Sequence, residues 1–415
     1  MKKNRLADLD ELVTPEEELL PTLGLSAVED TEENVAVTQT VAVTERAEVS
    51  YHKLGQLSKK PENKYKFERS LGMGGMKAVL QVWNMDTARS VAMAVILDSE
   101  DRPADDVQRF LNEARITAML EHPNIVPVHE IGVDKSNSPY FTMKLLRGKT
   151  LEKLIKDLRD GNINRKKFDL QRILRIYVKI CNAIAFGHSK NIIHLDIKPD
   201  NIHIGDFGEV LVLDWGLAKD LNVDDSTNLI SSEKNLDTDD GELLGKTMDG
   251  IAKGTPGYMA PEQAAGKNRE RDIRSDIYAL GAILYFILTW QKPVTGANAK
   301  QVMINTVQGN IVTPRKAKRA NKSGLDIPPA LEAIIMKAMS LNQADRYQSV
   351  NELRNDIFSF IGGFATQAEA PGVAKRSMMF INRNYVKIIF AVIIAVIIAT
   401  VVLTLTGQIT IKWSY

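Results

Sequence analysis

Three side chains at fixed spacing could share one piece of chemistry: Asp196, Asn201 five residues later, and Asp214 thirteen residues beyond that. They lie in His194-Leu195-Asp196-Ile197-Lys198-Pro199-Asp200-Asn201 and Asp214-Trp215-Gly216. The first carboxylate can accept the proton of an attacking hydroxyl. The amide and the second carboxylate can reach a divalent metal on a row of phosphates. Upstream, Leu71-Gly72-Met73-Gly74-Gly75-Met76-Lys77-Ala78-Val79 is a glycine-rich run whose Gly72 and Gly74 let backbone approach phosphate oxygens. The chemistry these parts would do is phosphoryl transfer. Two positions depart from the pattern. Val91-Ala92-Met93-Ala94 ends in alanine where a phosphate-gripping lysine is expected, and Lys77 stands where the third loop glycine is expected.

Such groups need elements to hold them. Tyr65, Phe67 and Leu71 open a strand that runs into the glycines, and 79–83 and 90–96 read as the next two short, β-branched strands. Residues 104–120 form an amphipathic helical pattern carrying Phe110, Glu113, Ala114 and Met119, with Pro123 after it. A strand at 140–146 leads to the turn Arg147-Gly148. From there the pattern turns helical, at 170–190, 276–289, 329–340 and 350–361. The expected fold is α+β in two lobes, a small β-rich one and a large helical one, with nucleotide between them.

These motifs, together with Leu120-Glu121-His122-Pro123-Asn124-Ile125-Val126, the run 254–262 ending in Ala260-Pro261-Glu262, and Glu113 on its helix, resemble a bacterial, eukaryotic-like serine/threonine protein kinase over residues 65–361. Lys198 and Thr255 resemble the Ser/Thr branch rather than the Tyr branch. The resemblance implies ATP and Mg²⁺ as cofactors. It implies Asp196 and Lys198 as catalytic residues, Asn201 and Asp214 as metal ligands, and Gly72, Gly74, Gly75, Val79, Met143 and Leu145 around the nucleotide. Met143 resembles the gatekeeper, with 144–146 as the adenine hinge. By the same likeness Glu262 and Arg346 form a buried ion pair, Asp276 braces the catalytic loop, and Thr255 contacts that loop.

Ala94 lies 22 residues after Gly72 and 19 before Glu113, the spacing at which the family keeps its lysine. Lys77 is the expected replacement, reaching the α/β-phosphates from the neighbouring strand with Glu113 in support. A lysine is a point charge on a flexible four-carbon stem of roughly 6 Å reach, so either strand can deliver it. This arrangement resembles the with-no-lysine kinases. The competing reading is a pseudokinase that binds nucleotide and scaffolds signalling. Leu195 replaces the arginine that pairs with an activation-loop phosphate. Phosphates on Ser226, Thr227, Ser231, Ser232, Thr238 or Thr247, in an acidic insert, are therefore expected to tune substrate access or recruit partners and not to switch on chemistry.

The chain has 415 residues and a formal net charge of +1, so nothing points to nucleic acid. Its single cysteine, Cys181, falls in a helical pattern as a small core residue and forms no intrachain disulfide. Residues 1–60 read as a disordered acidic tail, because 1–50 hold 12 Asp+Glu against 4 Lys+Arg and no aromatic residue. At the other end, the 19 residues 388–406 carry no charge, enough to cross a hydrocarbon core. The expectation is a juxtamembrane linker at 362–384, a transmembrane helix at 386–406 and a short external tail at 407–415. Met1–Arg5 is followed by an acidic stretch, so no signal peptide is expected there. Lys375, Arg376, Arg383 and Lys387 precede the span, which puts the kinase domain on the cytoplasmic side of a cell membrane. Expected partners are protein substrates, the lipid bilayer and, as an open alternative, a second copy of the chain in a homodimer.

Overall fold

The structure is a computed structural model. It describes residues 64–73, 76–97, 103–134, 138–164, 168–222, 254–321, 326–369 and 373–405. The expected acidic tail, Gly74 and Gly75, the six hydroxyls of the 221–250 insert and the expected external tail lie outside the described residues.

The small lobe is one antiparallel sheet of five strands in the order β1-β2-β3-β5-β4. These are β1 (Tyr65–Met73), β2 (Lys77–Asn84), β3 (Arg89–Ile96), β4 (Val128–Val133) and β5 (Pro139–Met143), with helix α1 (Ala104–Met119) inserted after β3. Strand β4, Val128-His129-Glu130-Ile131-Gly132-Val133, is an addition to the expected strands, because its apolar residues do not alternate. The strand expected at 140–146 ends at Met143, after which 144–147 run without regular structure. Alternation along β3 divides the sheet into two apolar faces. Val91 and Met93 pack with Val82 and Tyr140 on one face. Ala94 and Ile96 pack with Phe141 and with Phe110 and Ala114 of α1 on the other.

The large lobe begins with β6 (Gly148–Thr150), α2 (Leu151–Arg159) and α3 (Leu170–Ser189). Short strands β7 (Ile192–Ile193), β8 (Ile202–Gly205), β9 (Val210–Val212) and β10 (Lys219–Asp220) then carry the loops that bear Asp196, Asn201 and Asp214. Helices α4 (Pro261–Ala264), α5 (Ile273–Thr289), α6 (Ala299–Val307), α7 (Pro314–Asn321), α8 (Pro329–Ala338) and α9 (Val350–Ile361) follow. The core is centred on α5, in which every residue from Ser275 to Thr289 is buried. A helix apolar on all sides belongs inside a protein core. Cys181 is fully buried in α3, against Tyr177 and Ile184. Glu262 and Arg346 meet in a bidentate pair at 2.8 and 2.9 Å, sealed from solvent.

The last helix, α10 (Val373–Leu405), has 33 residues. Its window Asn384–Leu403 has mean hydropathy 3.1, long and apolar enough to cross a membrane. None of that window is buried against the rest of the chain. The helix extends eleven residues N-terminal to the window, into the stretch expected as linker.

Candidate active site

Register brings the small-lobe residues together. Val79 of β2 pairs with Ala94 of β3, Lys77 pairs with Ile96, and Ala92 pairs with Met143 at the end of β5. Directly paired residues share a face of an antiparallel sheet. Lys77, Val79, Ala92, Ala94 and Met143 therefore line one side, the side covered by α1. Ala94 is 1% exposed and is packed among Phe110, Ala114 and Phe141. The position that the family gives to lysine is filled here by core packing.

The cation comes from β2. The Lys77 ammonium bonds Glu113 Oε1 on α1 and lies 3.5 Å from Asp214 Oδ1. Glu113 is buried and Lys77 half-buried. Burial works against the charge on Lys77, but the two carboxylates outweigh it and raise its pKa. Burial raises the Glu113 carboxyl and Asp214 adds to this, while Lys77 pulls it down; the net direction is upward. Asp214 is also penalised by burial, yet Lys77, His194 and Lys198 hold it below the usual carboxylate range. One ammonium thus bridges two carboxylates that lie 36 and 137 residues after Lys77 in the sequence.

The large-lobe side is built around Asp196. Its carboxylate accepts from Lys198 Nζ at 2.6 Å and Thr255 Oγ1 at 2.9 Å, and from Asn201 Nδ2 at 3.3 Å. Asn201 Nδ2 also donates to the Asp196 carbonyl at 2.9 Å, which leaves its amide oxygen free to ligate. The loop is fixed from below by Asp276, whose two oxygens accept the backbone N–H groups of His194 and Leu195, both at 2.8 Å. His188 Nε2 lies 2.8 Å from the same carboxylate. Leu195 sits at φ +63°, a left-handed conformation that costs a branched side chain free energy. It is clamped at both ends, since Gln263 Nε2 donates to its carbonyl at 2.8 Å. Asp214 is likewise left-handed at φ +59°. Behind it Trp215 is buried, tilted against His194 with ring centroids 4.6 Å apart. A Cβ on Gly187 would come within 2.8 Å of the Trp215 ring, so the tryptophan needs that glycine.

The donor set suits a metal that arrives with phosphates. It would be one carboxylate, Asp214, and one amide oxygen, that of Asn201, whose backbone carbonyl accepts from the N–H of Leu213, the residue before Asp214, at 2.8 Å. No group of three or more His, Cys, Asp or Glu that could hold a metal occurs among the described residues. Mg²⁺ is commonly held in this way, by one or two carboxylates plus phosphate oxygens. At the end of β1, a Cβ on Gly72 would meet nothing within 4 Å, so the strand end is open to an approaching ligand.

Of the residues singled out in the sequence, Lys77, Glu113, Asp196, Lys198, Asn201 and Asp214 converge. Val79 and Met143 share the sheet face, and Leu145 is half-buried just beyond β5. His188, Gln263 and Gly187 escaped sequence reasoning. Each acts by touching a residue distant in sequence, and no local pattern announces that.

A two-lobed fold whose β-rich and helical lobes meet at the Lys77–Asp214 contact defines the protein kinase class. Residues 65–358 match the protein kinase domain model, and the chain belongs to that family. It is similar to serine/threonine-protein kinase PknD of Protochlamydia amoebophila, 34% identical over 304 residues, covering 72% of this chain and 30% of the relative. Similarity to PknD of Chlamydia trachomatis serovar D is 35% over 311 residues, covering 72% and 32%. To PknD of Chlamydia pneumoniae it is 34% over 306 residues, covering 72% and 31%. The chain spans about a third of the length of these relatives.

Proposed function

We propose that this chain phosphorylates Ser/Thr hydroxyls on proteins with ATP and Mg²⁺, anchored to a membrane by the apolar part of α10 with its kinase domain cytoplasmic. Asp196 orients the substrate hydroxyl and accepts its proton. Lys198, 2.6 Å from that carboxylate, neutralises charge on the transferred phosphoryl group. Asn201 and Asp214 hold Mg²⁺, which supplies charge neutralisation along the phosphates when bound. Lys77 grips the α/β-phosphates, held by Glu113, so the lysine works as in the with-no-lysine kinases. The carrying observation is the Lys77–Glu113 pair with Asp214 at 3.5 Å. It delivers from β2 the cation that Ala94 cannot supply. The clamped Leu195 backbone supports chemistry that needs no loop phosphate.

Single-turnover transfer of the γ-phosphate from ATP to a Ser/Thr peptide tests this reading. Transfer at a rate dependent on Mg²⁺ and Asp196 is the expected result. Nucleotide binding without transfer would favour the pseudokinase scaffold instead.

A further inference from the structure

Beyond α9 the chain does not leave the large lobe at once. Gly362 and Gly363 turn it, Gly363 at φ +71°, and Phe364 N–H donates to the Ser359 carbonyl at 2.8 Å. The next residues are then fastened by one side chain. Asp356 of α9 is buried, and its carboxylate accepts the backbone N–H of Gln367 at 2.5 Å, that of Ala368 at 2.9 Å and the Tyr347 hydroxyl at 2.7 Å. Thr366 is 2% exposed, and Ala368 packs on the main core. A buried carboxylate satisfied by three donors, two of them backbone of the strap itself, fixes the strap's path. Helix α10 begins only four residues after Glu369.

Reach follows from counting. Four residues from Glu369 to Val373 span at most about 14 Å. The eleven residues from Val373 to Asn384, where the apolar window opens, add about 16 Å of helix. The fastened strap therefore leaves the lobe within about 30 Å of the bilayer boundary. A free linker over residues 362–384 would reach about 75 Å.

Resting on the reading that α10 spans a membrane, we propose that the Asp356 clasp tethers the catalytic domain within about 30 Å of the bilayer boundary, so its substrates are polypeptides whose acceptor hydroxyls lie within a bounded height above the membrane. A domain of this size is about 50 Å across. Added to the tether, that bounds the active site to about 80 Å from the membrane. Acceptors presented farther out lie beyond it.

The full chain is reconstituted in liposomes, and three readouts separate the layers. Extraction with alkaline carbonate reads the span alone. Retention in the lipid fraction is expected, and release overturns the membrane reading and the tether with it. Hydrogen exchange on the retained protein reads the clasp. Gln367 and Ala368 amides are expected to be protected like those of α9, and Asp356→Ala to free them. Unprotected exchange in the unmodified chain overturns the proposal and leaves the span standing. Reach is read with Ser/Thr acceptor peptides on rigid lipid-anchored spacers of graded height. Phosphorylation is expected to fall at least tenfold beyond about 80 Å, the bound worked above from tether and domain size. A 40-residue Gly-Ser insertion after Glu369 is expected to move that fall outward by about 35 Å, with the rate on a soluble peptide unchanged. The same limit in both chains overturns the proposal. A chain inactive even on the soluble peptide fails the kinase reading instead, and the exchange data still decide the clasp.

Discussion

Replacing Lys77 by methionine keeps the stem and removes the charge. The ammonium bonds Glu113 and lies 3.5 Å from Asp214, and under the proposed function it grips the nucleotide phosphates from there. Losing one preorganised donor of this kind costs about 3–4 kcal/mol of transition-state stabilisation, or about 10²–10³ in rate. The stability cost is smaller. Breaking a fully buried pair costs about 3–5 kcal/mol, but a quarter of the Lys77 side chain is exposed and Glu113 can take up a proton. With that relief, about 1–2 kcal/mol is expected, or a few degrees in Tm. The assay is kcat/KM on a Ser/Thr peptide beside a thermal melt. A large rate loss with a small melt shift is the expected signature. Full activity in Lys77→Met would refute the assignment. The double variant Lys77→Gly, Ala94→Lys is expected to recover part of the rate. Its recovery is limited because Ala94 is packed among Phe110, Ala114 and Phe141, where extra methylenes cost about 1–3 kcal/mol.

Three further outcomes follow from the geometry. The Tm gap between the unmodified chain and Lys77→Met should widen as pH rises from the ordinary carboxylate range toward neutrality. Glu113 has a raised pKa, so its contribution is full in acid and is lost as pH rises through that value; without Lys77 to pull it down, the loss extends to higher pH. Lys77, itself raised, stays charged throughout that range, so a constant or narrowing gap in calorimetric melts counts against the pairing. Gly187→Ala should destabilise by about 1–3 kcal/mol and lower kcat, because the new Cβ meets the Trp215 ring beside Asp214; wild-type kinetics and melting would show that the ring has room. Asp276→Ala leaves the His194 and Leu195 N–H groups buried without their acceptor, so a loss of about 3 kcal/mol is expected by denaturant unfolding, with kcat falling as Leu195 relaxes from φ +63°. An unchanged kcat would mean that the loop holds its form without the brace.

Much of this protein was legible in the sequence because the relevant physics is local. Asp196, Asn201 and Asp214 lie on one short stretch whose spacing points to the chemistry proposed for them, and the helices at 104–120 and 350–361 declared themselves by the period of their apolar residues. The apolar run near the C-terminus needed only length and composition. The exchange of Ala94 and Lys77 was visible as two departures from one pattern. What tertiary structure alone decided is where distant groups meet. The meeting of Lys77 with both Glu113 and Asp214 depends on the register of β2 on β3 and on the packing of α1. The Asp276 brace, the Gly187 gap under Trp215 and the Asp356 clasp on Gln367 and Ala368 each join an ordinary-looking residue to backbone or ring elsewhere in the fold. Sequence periodicity records which face of an element is apolar. It carries no record of the partner across the core, because that contact exists only once the chain has closed on itself.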